Sequence, residues 1–143
     1  MTQQANAEAL KLHYTIICED VRLEVGQKLS LIGVFYALQV PQLPINVLKL
    51  VILNHWSGAG QYLSEVRILT PDRTQPVAVS QPSAFEIPMG GYADNVTLFV
   101  NVTFPVAGDY VVQALINSTL FAEQPLTVMD VNQPPAVSSE TIQ

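Results

Sequence analysis

An all-β fold of short strands is what this sequence predicts, on three observations. Val, Ile and Thr make up a quarter of the 143 residues, and branching at Cβ favours the pleated strand over the helix. Turn-forming residues recur along the chain and leave runs of roughly 8 to 12 residues between them, the spacing of a sandwich or barrel. No segment holds a 3.6-residue apolar period beyond roughly two turns, so helix is at most a minor component. Together these predict an antiparallel β-sandwich of seven to eight strands between Leu12 and Met129.

The elements follow in order. The first apolar run, Ile16-Ile17-Cys18, leads into the alternating Asp20-Val21-Arg22-Leu23-Glu24, and Gly26 marks the turn after it. Val47 to Trp56 is nearly continuous apolar, which fits a central strand covered on both faces. Ser57-Gly58-Ala59-Gly60 reads as a hairpin connector, and Tyr62 to Thr70 alternates again. Gln75 to Met89 holds three prolines and is expected to supply only short or edge strands. Asp94 to Phe104 alternates most cleanly: period two places Val96, Leu98, Val100, Val102 and Phe104 in the core and Asn95, Thr97, Asn101 and Thr103 in water. Phe99 is the exception on the wet face. Gly108 then opens a strand through Tyr110, Val112, Ala114 and Ile116, and Asn117-Ser118 reverses the chain into a last strand ending at Leu126, Val128 and Met129. Residues 1–11 read as an N-terminal extension, 12–129 as one domain, and 130–143, with Pro134-Pro135, as a flexible tail.

Composition narrows the function classes. Apolar residues make up 49% and charged residues 13%, about half the usual charged share, which excludes a disordered chain. The net charge of −6 comes with six bases scattered singly, so nothing is placed to neutralise phosphates and no nucleic-acid partner is expected. No run reaches the ~20 apolar residues of a spanning helix, and no basic segment precedes an apolar one as in a signal peptide. The single cysteine cannot form an internal disulfide. A cytoplasmic protein without membrane contact is the expectation. The sequons at Asn95, Asn101 and Asn117 are then strand and turn residues.

Two stretches carry a resemblance. Cys18-Glu19-Asp20-Val21-Arg22-Leu23-Glu24, followed by Lys28-Leu29-Ser30-Leu31-Ile32-Gly33-Val34-Phe35, shows a C-x-D-x-R-x-E segment and a K-x-S-x-x-G-x-F segment. This resembles an uncharacterised family of small bacterial proteins. Phe104-Pro105-Val106-Ala107-Gly108-Asp109-Tyr110 is similar to the P-x-x-G-x-Y turn before the penultimate strand of bacterial immunoglobulin-like domains. The resemblance implies an immunoglobulin-like sandwich and brings no activity, cofactor or catalytic residue. It also singles out Arg22 and Gly33 as structural positions. Physically, a Tyr after a Gly turn can bury its ring and return its hydroxyl to a nearby carbonyl, the structural role expected of Gly108 with Tyr110.

Candidate sites are few. Asp72, Asp94 and Asp109 fall at or near connectors, where calcium could be held by end loops, although aspartate is also a turn residue in its own right. His13, His55 and Cys18 lack metal-ligand spacing, and Cys18 reads as a small buried thiol. Alternation places Asp20, Arg22 and Glu24 on one side, with Arg22 between two carboxylates. There is neither a nucleophile elbow nor a phosphate loop. Phe99, Tyr36, Trp56 and Leu115 are apolar residues expected on wet faces, and clustered they would form an interface. The leading expectation is a non-enzymatic, self-associating protein-interaction or structural module that needs no cofactor. The alternative is a ligand- or calcium-binding sandwich using acidic end loops. An enzyme would require His13 or His55 beside a carboxylate in a cleft.

Overall fold

A computed structural model describes residues 9–132. Nine strands follow one another without a helix among the described residues: β1 (Lys11–Cys18), β2 (Asp20–Glu24), β3 (Lys28–Ile32), β4 (Ala37–Val40), β5 (Ile45–Leu69), β6 (Pro76–Val79), β7 (Ser83–Phe104), β8 (Gly108–Ile116) and β9 (Thr119–Asp130). The fold is all-β. Strands β1, β5, β8, β9 and β4 lie side by side, β6 and β7 pair with β5, and β2 with β3 forms a separate hairpin. One pairing departs from the antiparallel expectation: β4 runs parallel to β9. Of the expected tail, Asp130 still belongs to β9, and residues 133–143 lie outside the described residues, as do residues 1–8 of the expected extension.

The 25-residue β5 and the 22-residue β7 are the largest departure from the expected short strands. Ser57-Gly58-Ala59-Gly60 is no hairpin connector; it lies inside β5. The register with β7 shifts there, Gly58 facing Gly91 and Gly60 facing Ile87, so Pro88, Met89 and Gly90 bulge opposite Ala59. An extra residue in one strand bends a two-stranded ribbon and increases its twist. The prolines of this region are thus absorbed at a bulge inside a long strand. Gly58, with φ of 140°, is also where the backbone of Ala9 and Leu10 crosses; a Cβ there would stand 3.1 Å from Ala9 O.

The bend lets one ribbon serve two layers. Before it, β5 lies between β1 and β7; after it, β5 pairs with β8 on one side and with β6 and the start of β7 on the other. Ile17, Leu50, Ile52, Phe99, Val102 and Phe104 of the first layer pack against Val66, Ile68, Tyr110, Val112, Leu126 and Val128 of the second. A smaller cluster at the bend joins Trp56, Ile87, Ala114 and Ile116. Strands that switch sheets at a bulge make the corners of such packings.

Three of the four residues expected on wet faces are inside. Trp56 is fully buried and donates its indole N–H to Asn95 Oδ1 at 3.0 Å, while Leu115 and Phe99 are also buried. Only Tyr36 is exposed. For Phe99 the reason is a change of parity. Asn101 takes a left-handed φ of 56°, and opposite it Leu48 and Lys49 both face outward. Val102 and Phe104 therefore point inward as expected, but before the kink the inward set is Asn95, Thr97 and Phe99, and Val96, Leu98 and Val100 are turned out.

Two local devices hold the second layer. Tyr110 donates its hydroxyl to Val106 O at 2.6 Å and accepts the Val106 N–H at 3.1 Å, with its ring edge-on to Phe104. At the β8–β9 hairpin, Asn117 and Ser118 take φ of 50° and 69°, the signs of a type I′ turn, and Asn117 Oδ1 accepts the Leu63 N–H. On the outer face, Arg67, Gln113 and Glu123 form a row across three strands. Gln113 donates to Glu123 at 2.7 Å, and Arg73 clasps the same carboxylate with two bonds of 2.9 and 3.0 Å. These donors hold the Glu123 carboxyl at about 2 instead of 4.5, Arg73 being the larger cause.

Tyr110→Phe removes both hydroxyl bonds and is expected to cost about 1 kcal/mol, read as a lower denaturant midpoint at unchanged slope. Because the Glu123 pKa is depressed on folding, its contribution is complete above about pH 4.5 and is lost as the pH falls towards 2. Glu123→Gln should flatten the fall in melting temperature across that window; an unchanged profile would show that other carboxylates carry it.

Candidate functional site

The outer face of the first layer is built by register. Tyr14 lies opposite His55, and His55 opposite Asp94, so three side chains stand in a row across β1, β5 and β7. One step along, Ser57 lies opposite Tyr92. The β1–β5 register shifts between Leu12 and Tyr14, and the extra residue, His13, is re-aimed so that its Nε2 shares a 2.7 Å hydrogen bond with Ser57 Oγ. Two histidines that lack ligand spacing in the sequence thereby become neighbours, with ring centroids 5.7 Å apart.

Within this cluster His55 is held on three sides. Its Nδ1 lies 2.6 Å from Asp94 Oδ1, and the Tyr14 and Tyr92 rings stack on it at 4.7 and 5.2 Å, each 12° from parallel. A carboxylate accepts, so Nδ1 is the donor in this bond and Nε2 is left on the far side of the ring. A nucleophile–His–carboxylate relay is not assembled: Ser57 is bonded to His13, whereas Asp94 is bonded to His55. Among the described residues no three His, Cys, Asp or Glu side chains converge as metal ligands.

The other expected site residues lie apart. Asp72 accepts from the hydroxyls of Thr70 and Thr74 and from the Thr74 N–H, bonds that hold its carboxyl down at about 2; it closes its own turn. Asp109 accepts from Thr127 Oγ1 at 2.6 Å. With Asp94 paired to His55, each of the three aspartates is bonded to another side chain, and among the described residues the three do not converge as a ligand group. Asp20 forms its ion pair with Lys49 at 3.3 Å, where the sequence places Arg22 between the carboxylates; its pKa is lowered chiefly by the Val21 N–H and then by Lys49. Cys18 is buried, donates weakly to Asp20 O, and is pushed up by desolvation. At Gly33, with φ of 69°, a Cβ would stand 2.7 Å from the Glu19 carboxyl group. Gly108, with φ of 143°, leaves room that a Cβ would take from Pro71 at 2.8 Å.

Beyond the aromatic cluster the same face turns apolar. The next rows are Ile16–Leu53–Val96 and Cys18–Val51–Leu98, followed by Lys49–Val100. Val51 and Leu53 on the central strand are buried, but Val96, Leu98 and Val100 on β7 are 42%, 53% and 61% exposed, and Leu48 beside them 74%. A second apolar projection is the β2–β3 hairpin, whose tip residue Val25 is 95% exposed. Sequence reasoning missed the strip because the kink at Asn101 exchanges the faces of β7. It missed the cluster because register and bulge, which bring His13, His55 and Asp94 together, leave no mark in spacing.

Asp94→Ala is expected to release His55 from a single tautomer, seen in nitrogen-15 spectra as loss of the Nδ1–H form near neutral pH. An unchanged tautomer would mean that the stacked tyrosines, not the carboxylate, orient the ring.

Residues 13–129 match a family described as "Family of unknown function (DUF6941)". No curated protein matches the sequence. Among solved structures, a DNA-bound alkylpurine DNA glycosylase from Pseudomonas fluorescens is similar over 86% of this chain and 31% of its own, with 10% identity and a TM-score of 0.49. A β-D-glucoside glucohydrolase from Trichoderma reesei is similar over 85% of this chain and 19% of its own, with 12% identity and a TM-score of 0.47. An immunoglobulin-like protein from Pseudomonas aeruginosa is similar over 84% of this chain and 96% of its own, with 18% identity and a TM-score of 0.39. The chain thus spans less than a third of the first two proteins. No helix among the described residues is long and apolar enough to cross a membrane.

Proposed function

The chain belongs to that family of unknown function, and we propose that it works as a non-enzymatic protein-interaction module of a bacterial cytoplasm, associating with itself. The observation that carries this reading is the exposed strip of Val96, Leu98 and Val100 on the outer face of β7. Surface apolar residues scattered singly need no explanation, but these three alternate along one strand and continue onto Leu48. The non-enzymatic part is supported by the separation of the Ser57–His13 and His55–Asp94 pairs on an open sheet face.

Magnitudes say what the strip can do. Covering a half-exposed Val or Leu is worth about 1 kcal/mol, so two copies meeting through these side chains gain roughly 6 kcal/mol. Association costs about 4–15 kcal/mol in lost freedom. Apolar contact alone therefore leaves a dimer marginal, and main-chain hydrogen bonds must contribute for it to persist at micromolar concentration.

Size-exclusion chromatography with light scattering from low to high micromolar is expected to show a dimer fraction that grows with concentration. Leu98→Lys should shift the population to monomer while the melting temperature at low concentration stays unchanged. A strict monomer at every concentration would overturn the self-associating reading.

A further inference from the structure

We infer that the strip is covered by a second copy of this chain, joined edge to edge: β7 pairs antiparallel with β7 about a two-fold axis at Leu98. This rests on the interaction reading above and adds its occupant and its register. From Tyr92 to Phe104, β7 is paired on one side only, with β5, and its other edge has no strand partner among the described residues. A groove of about 360 Å³ runs beside that edge at Val96–Phe99, with Val79, Ser80, Gln81 and Ser83 across from it.

Natural edge strands are guarded by lysines, prolines, inward charges, bulges or shortness. This edge has no such guard over its straight part. Between Asp94 and Asp109 there is no charged residue, and the first proline is Pro105. The kink at Asn101 ends the straight segment, which leaves Val96–Val100 as its uncharged apolar centre.

Symmetry and charge select the occupant. With the axis at Leu98, Val96 of each copy faces Val100 of the other and Leu98 faces its counterpart, so every outward side chain at the seam meets an apolar one. The chain carries a net charge of −6, which opposes contact between copies over most surfaces. Here the two Asp94 carboxylates stand four residues on either side of the axis, about 26 Å apart, well beyond a screening length of about 8 Å. A foreign strand added to a sheet edge is chosen by side-chain pockets or matching charges, and the seam offers no charge to match. Its own sequence in reverse is the strand that fits.

The test is cysteine cross-linking of the full chain, in which Cys18 is buried and silent. A residue on the axis faces itself within reach of a disulfide. Leu98→Cys is therefore expected to form covalent dimer about tenfold more than Val96→Cys alone under mild oxidation. A mixture of Val96→Cys and Val100→Cys chains should cross-link to each other. Amide exchange of the unmodified protein should slow across residues 96–100 as concentration rises. Self-association without Leu98→Cys cross-linking, but with cross-linking through Val25→Cys at the hairpin tip, overturns the edge pairing and leaves the interaction reading standing. A monomer at all concentrations overturns both.

Discussion

Everything in this fold depends on β5 bending at Gly58–Gly60. A straight strand of 25 residues would run far beyond the width of the core and could not return to cover it. The two glycines, with φ of 140° and 121°, and the opposing bulge at Pro88–Gly90 turn the strand so that its first half completes one layer and its second half the other. Leu50 and Ile52 then face Val66 and Ile68 of the same strand across the core. The corner is filled by Trp56, whose one polar atom is satisfied by Asn95, so a large ring is buried there without leaving a donor unpaired.

A second irregularity sets the surface chemistry. At Asn101 and Leu48 the ribbon changes which side faces in, and the result is that Phe99 joins the core while its neighbours Val96, Leu98 and Val100 are left outside. The bulge at His13 does the same for β1, bringing two imidazoles onto one face. The outer face of the first layer thus owes both its aromatic cluster and its apolar strip to three departures from regular pairing, at His13, at Gly58 and at Asn101.

What was legible in the sequence was local. Gly108 and Tyr110 announce a turn with a tyrosine returning to its backbone, and Asn117-Ser118 announces a tight reversal, because these depend on φ preferences and on hydrogen bonds a few residues long. The all-β character was legible from branching and period. The long strands were not, since glycine and proline mark a bulge as readily as a turn. Burial on β7 was misassigned because period two carries no information about where a single left-handed residue resets it. The cluster of His13, His55 and Asp94 is further still from view, as it depends on which strands pair and in what register. Asp20 shows the same limit on a small scale, taking Lys49 from another strand in place of its near neighbour Arg22.

Because β5 is a member of both layers and pairs with four other strands, neither layer can open while the other stays intact. Proteins made of separable units release them one at a time, each with its own free energy of opening. A shared strand fuses those units into one. The bend that shapes the sandwich therefore also makes its loss a single event.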